Sequence, residues 1–221
     1  MIDIKVYLPK LIELLLHHFE SRLLYVGLQG SYLRGDATAT SDIDIMVVID
    51  ELNVQDLDYY RNIIHSMEYA DKSCGFICSR TDLAHWNPLE IAHLLHTTKD
   101  YYGTLMDLVP SYTTQDLQNF IKLSLNNLYH EICHRYIHSK TPKDPDRLRG
   151  SYKSVFFILQ NLHYLKTGNF PATKADLLQV LDGNDQHVLA RALTLESGNS
   201  FDFDGSFSLL FAWCQETLSK L

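Results

Sequence analysis

Membrane-length apolar stretches are missing from this 221-residue sequence, and so is any excess of positive charge. No run approaches the ~18 apolar residues that a transmembrane helix requires, so a helical membrane protein is not expected. Lys and Arg number 19 against 27 Asp and Glu, a formal net charge of −8. A nucleic-acid backbone is held chiefly by cations, so broad nucleic-acid binding and a template-using polymerase are not expected. A small anionic ligand is still allowed, because it needs only a local positive pocket. Cysteine is scarce. Cys74, Cys78, Cys133 and Cys214 are too few and too scattered for a disulfide framework, and reduced thiols are expected. The first residues mix Asp3, Lys5, Lys10 and Glu13 with apolar side chains and show no small-residue cleavage site. A secretory leader is therefore not expected, and a cytosolic setting is. Internal repeats and low-complexity tracts are also absent.

The patterns that are present divide the chain in two. Leu8, Leu11, Ile12, Leu15 and Leu16 recur at helical spacing. Residues 23–28 and 43–49 read as buried strands, 54–69 as a helix and 74–78 as a third strand. Asn87-Pro88 opens a helix through His96, Pro being well tolerated in a first turn. Near Pro110 the composition shifts to long amphipathic helices. Thr113 or Thr114 caps one running toward His138, and residues 141–146 break the chain. A second runs from about Leu148 to Lys166 and stops at Gly168, and shorter ones follow at 173–181, 185–196 and 206–219. The expected fold is α+β: a small mixed sheet with helices over residues 1–108, then an all-α helical bundle over 109–221.

The chemistry concentrates between Gly30 and Ile45. A buried strand runs into Gly30-Ser31, where a short helix can begin, and its free N–H groups and the Ser31 hydroxyl suit a phosphate. Ser41-Asp42-Ile43-Asp44-Ile45 follows. On a strand, Asp42 and Asp44 point to one face and the two isoleucines to the other. Paired carboxylates repel unless a cation lies between them, and Mg²⁺ characteristically takes one or two protein carboxylates plus substrate phosphates. The bland alternative is a solvated strand edge.

Strand, Gly-Ser, a short helix with Arg34-Gly35, then Ser-Asp-x-Asp entering the next strand resembles the nucleotidyltransferase superfamily of DNA polymerase β type. An α/β unit followed by a helical bundle is similar to its small bacterial members, the aminoglycoside and lincosamide adenylyltransferases. The resemblance implies that Gly30 and Ser31 bind the triphosphate and that Asp42 and Asp44 are the catalytic metal ligands. By spacing, Arg34, one helical turn after Ser31 (the alternative being a surface side chain packed on Tyr32 or the sheet), and Ser41 join the nucleotide-binding set. So does Lys153, which resembles the lysine that related two-lobed enzymes extend from the helical lobe. The sequence departs from the family in one respect. A third carboxylate is usual on a following strand, but residues 73–79 contain no acid, leaving Asp71, Asp82 or Glu131 to supply one.

Other clusters read more plainly. His130, His134 and His138 recur every four residues, better suited to a polar stripe than to zinc, since CxxC and HExxH patterns are missing. Cys74 and Cys78 suit small core positions. Lys99, Tyr101 and Tyr102 precede Gly103 near the expected lobe junction, where packing is the simpler role. The functional expectation is an enzyme that uses Mg²⁺ to transfer a nucleoside monophosphate, AMP from ATP, onto a hydroxyl of a small molecule or a protein. Apolar surface on the bundle helices would permit a homodimer. The alternative is a nucleotide-binding regulatory protein that kept the fold and lost turnover.

Overall fold

The computed structural model describes residues 2–141, 143–197 and 200–221, so residue 142 of the expected break lies outside the described residues. The chain separates into two compact units, Met1–Tyr112 and Thr113–Leu221.

The first unit runs α1 (Ile4–Phe19), β1 (Leu23–Leu28), α2 (Gly30–Arg34), β2 (Ile43–Ile49), α3 (Val54–Ser66), β3 (Ser73–Ser79), α4 (Arg80–Ala84), α5 (Pro88–His96) and β4 (Lys99–Tyr102). Its four strands form one mixed sheet in the order β3-β2-β1-β4. β1 is antiparallel to both β2 and β4, whereas β2 and β3 are parallel and are joined through α3. The apolar run of β2 has a physical reason, because both of its faces are covered. Ile43, Ile45, Val47 and Ile49 pack with Leu8, Leu11 and Leu15 of α1. Met46 and Val48 pack on the other face with Tyr25, Cys78, Leu83 and the α5 leucines Leu94 and Leu95. Asp44 continues the Met46–Val48 face by the two-residue strand period.

β4 does not stand out in the sequence. Lys99–Tyr102 has only one residue that is not exposed and carries two charges. It nonetheless pairs with β1, Leu28 opposite Lys99 and Gly27 opposite Asp100. Short, charged and exposed, it is a typical sheet edge that discourages further strand addition.

The second unit holds α6 (Thr114–His138), α7 (Pro145–Thr167), α8 (Lys174–Val180), α9 (Gly183–Glu196) and α10 (Phe203–Lys220). α6 buries Leu117, Ile121, Leu125, Leu128 and Ile132 at helical spacing. The Thr113–Asp116 capping box fixes its start. Buried polar atoms tie the helices together. The Tyr152 hydroxyl donates to the Ser206 carbonyl at 2.7 Å, and the Trp213 indole N–H to Asp185 at 2.7 Å. Among the described residues, no helix is long and apolar enough to cross a membrane.

One half-buried ion pair closes the first unit at the sheet end remote from Asp44. Arg22 donates to Asp56 Oδ2 at 2.7 Å and to the Glu51 carbonyl at 2.7 Å. Asp56, 3% exposed, also closes the capping box of α3 with Asn53. The Arg22 hydrogen bond and charge hold the Asp56 carboxyl below the usual carboxylate range, against the opposing effect of burial. A carboxyl with a lowered folded pKa contributes its stability above the ordinary carboxylate pKa of about 4 and loses it as acid carries the pH through the folded value. Asp56→Ala is expected to cost about 2 kcal/mol at neutral pH in urea unfolding of the first unit, through loss of the cap and of Arg22's partner. The variant's stability should also fall less steeply than the wild type's below about pH 4; parallel acid limbs would show that Asp56 carries no such linkage.

Candidate active site

The C-terminal end of β1 and the N-terminal end of β2, the two central strands, meet at one end of the sheet. The Gln29 N–H donates to the Asp44 carbonyl at 2.8 Å, and the chain then turns at once into α2. Gly30 takes φ +67°, and a Cβ there would stand 1.9 Å from Asp44 Oδ2. Only glycine meets both conditions. The Asp44 carboxylate is thereby seated against the Gly30–Ser31 turn, where the first amides of α2 have no partner within the helix. Gly35, at φ 81°, closes α2 with its N–H on the Ser31 carbonyl at 2.9 Å.

A hydroxyl knot shapes the loop that leads into β2. The Thr38 N–H donates to Ser41 Oγ at 2.8 Å, the Ser41 N–H to the Thr38 carbonyl at 3.2 Å, and the Thr38 and Thr40 hydroxyls lie 3.0 Å apart. Asp42 follows, exposed, just before the first paired residue of β2, and Asp44 is half-buried one pleat further on. Neither carboxylate has a hydrogen-bond or ion-pair partner among the described residues. Two carboxylates one pleat apart and without protein partners among the described residues fit a hard divalent cation that takes its remaining ligands from phosphate and water.

The first unit thus carries Gly30, Ser31, Arg34, Ser41, Asp42 and Asp44 on one segment, with Gly30 and Asp44 in direct approach. Arg34 is held by Asp36 at 3.2 Å. Ser41 spends its lone pairs on the turn before Asp42. Lys153 belongs to the second unit, exposed on α7.

Within the first unit, neither Asp71 nor Asp82 gathers with the pair among the described residues. Asp44 has Cys74 as its register partner on β3. At the next position Gly75, φ +119°, a Cβ would stand 1.9 Å from the Ile45 carbonyl, so no side chain fits there. Asp82 is engaged by the Ser79 N–H and hydroxyl at the far end of β3, roughly 16 Å along the strand from Cys74 at about 3.3 Å per residue. Glu131 lies in the second unit and accepts from Ser151 at 2.6 Å and from Arg135. Asp71 is exposed in the turn before β3. Among the described residues, no three His, Cys, Asp or Glu side chains gather where they could share a metal ion. That holds for the exposed His130, His134 and His138 as well, whose adjacent ring centroids are 5.7 and 4.9 Å apart. Burial pushes the Cys78 thiol up to about 12, which leaves it an inert core group.

Three supporting residues escape a reading of the sequence. Gln29 donates its side-chain amide to Thr98 Oγ1 at 2.8 Å, and Thr98 donates to the Leu94 carbonyl at 2.7 Å, linking the base of the Gly30 turn to α5. The fully buried Tyr25 donates to Asp100 of β4 at 2.7 Å, and burial together with that bond pushes its phenol well above its ordinary value. Lys72 donates to the Ala39 carbonyl in the loop before Asp42. Each acts across a sequence separation that local patterns do not register.

A nucleotidyltransferase domain model matches residues 8–74, the segment holding α1 through the start of β3. Over that segment, about a third of its length, the chain is similar to the nucleotidyltransferase superfamily. It is 46% identical over 50 residues to a Methanocaldococcus jannaschii chain provisionally named a protein adenylyltransferase; the match spans 23% of this chain and 47% of that one. The chain thus spans about half the length of the curated relative it matches. The fold is also that of the spectinomycin adenyltransferase of Enterococcus faecialis, solved with ATP and spectinomycin. The TM-score is 0.58 and the identity 17%, with 98% of this chain and 100% of that one covered.

The close approach at Gly30 gives a graded expectation. Gly30→Ala should destabilise this domain by about 2–3 kcal/mol, combining backbone strain with collision against Asp44. Gly35→Ala, where nothing lies within 4 Å of the added Cβ, should cost only about 1 kcal/mol of left-handed strain. Equal losses in urea denaturation would contradict the clamp between residue 30 and Asp44.

Proposed function

We propose that the chain is a Mg²⁺-dependent nucleotidyltransferase that moves AMP from ATP onto a hydroxyl of an acceptor. The observation that carries this reading is the unpartnered Asp42 and Asp44 pair set against the Gly30–Ser31 turn. In the reaction, the acceptor oxygen forms a bond to the α-phosphorus, the bond to the bridging oxygen breaks, and pyrophosphate leaves. Asp42 and Asp44 would hold the metal, which when bound supplies charge neutralisation at the phosphates and activation of the hydroxyl. The Gly30 turn and Ser31 position the triphosphate, and Arg34, released from Asp36, and Ser41 stand on the same segment. Lys153, exposed on α7, is assigned to the same nucleotide-binding set. Positioning and electrostatics supply most of the acceleration in phosphoryl chemistry, so a rigid seat for the two carboxylates matters more than their number.

Similarity supports two acceptor classes. The spectinomycin enzyme suggests a cationic small molecule, which this chain's net charge of −8 would attract. The archaeal relative's name suggests a protein hydroxyl. A reducing cytosol and a homodimer complete the proposal, and the four unpaired cysteines suit the former. The missing third carboxylate favours a second reading, in which the site binds nucleotide without turnover.

Melting temperatures measured with ATP, GTP, CTP and UTP, each with and without Mg²⁺, test the site. A triphosphate near a hundred times its dissociation constant should add about 2.7 kcal/mol. Stabilisation should need Mg²⁺, be largest for ATP, and vanish in Asp42→Asn/Asp44→Asn. No stabilisation by any triphosphate would sink the assignment. ATP stabilisation without pyrophosphate release, with either acceptor class supplied, would select the second reading.

A further inference from the structure

We infer that Lys72 is a positioning residue: it anchors the Asp36–Ser41 loop and so sets where the Asp42 carboxylate stands relative to Asp44. This rests on the reading of that pair as the metal-binding site.

The two carboxylates are held in unequal ways. Asp44 lies within β2 between Ile43 and Ile45, both fully buried, and its own carbonyl is paired with Gln29. Asp42 precedes the paired strand, whose register with β3 begins at Ile43 opposite Ser73. Its place is set by Ile43 on one side and by the loop on the other. The loop's hydroxyl knot is entirely local, each bond spanning three residues or fewer. The knot gives the turn its shape but cannot fix it to the sheet. Arg34–Asp36 and the amides on the Ser31 carbonyl join the loop only to α2, which the same segment carries. Among the described residues, one hydrogen bond ties residues 36–41 to chain beyond 30–42: Lys72 Nζ donating to the Ala39 carbonyl, across 33 residues.

The placement of Lys72 follows from the fold. A 3-10 turn over Ala70–Lys72 delivers the chain into β3, and because Ser73 pairs with Ile43, Lys72 comes to lie level with Asp42 just off the end of the sheet. A long flexible stem ending in a charged donor can reach a loop carbonyl there.

Mg²⁺ titration at fixed ATP, followed by melting temperature, tests this in wild type, Lys72→Met and Lys72→Arg. Groups that support metal ligands typically affect metal affinity by one to two orders of magnitude. Lys72→Met should therefore need about tenfold more Mg²⁺ for its half-maximal shift. Its melting temperature without ligand should stay at the wild-type value, and Lys72→Arg should restore the Mg²⁺ midpoint. An unchanged midpoint in Lys72→Met, beside a wild type that responds to Mg²⁺, overturns the inference and leaves the site intact. A raised midpoint that Arg fails to restore, with a lowered ligand-free melting temperature, overturns it in favour of a general structural role. A wild type with no Mg²⁺-dependent response to ATP overturns the site reading and this inference with it.

Discussion

The contact on which the site depends is between residue 30 and Asp44. Because residue 30 has no Cβ, the Asp44 carboxylate occupies the volume that any other side chain would claim, and the Gln29–Asp44 backbone bond holds the two strand ends at that distance. From this follow the direction in which α2 leaves the sheet and the seat of Ser31. So does the position of one carboxylate at the edge of an otherwise apolar face. The sheet core behind it, closed on both sides of β2 by α1 with α3 and by α4 with α5, keeps that seat from relaxing.

The site is rigid on one side and loosely moored on the other. Asp44 inherits the order of a fully paired strand, while Asp42 takes its position from a turn stitched by Thr38, Thr40 and Ser41 and tethered by Lys72. Unequal mooring of this kind suits a centre that must accept and release a charged nucleotide, since lids and ligand loops are drawn from the less stable parts of a fold. Among the described residues the two carboxylates have no protein partner, an electrostatic cost that the fold avoids at Asp56, where a buried acid is paired and capped.

Much of this was legible in the residues. Period two puts Asp42 and Asp44 on one face, the glycine before Ser31 marks a close approach, and the long helices announce themselves through their apolar spacing and caps. β4 was not legible, because an exposed four-residue edge with two charges looks like a loop until β1 is there to pair with it. The roles of Gln29, Tyr25 and Lys72 were not legible either. Each depends on a contact between segments 33 to 75 residues apart, which no local pattern encodes. The absence of an acid from β3 was plain in the sequence, but its physical reason was not: the backbone at residue 75 is pressed against Ile45.

That close packing constrains how this strand can change. At residue 75 a positive φ and the Ile45 carbonyl bar any side chain, so substitution there meets a steric wall before chemistry is tried. Cys74, exposed and in register with Asp44, is the position on β3 beside the pair that can vary freely. An acid introduced on β3 directly opposite Asp44 would stand at residue 74. A single codon therefore separates the present site from one with three carboxylates.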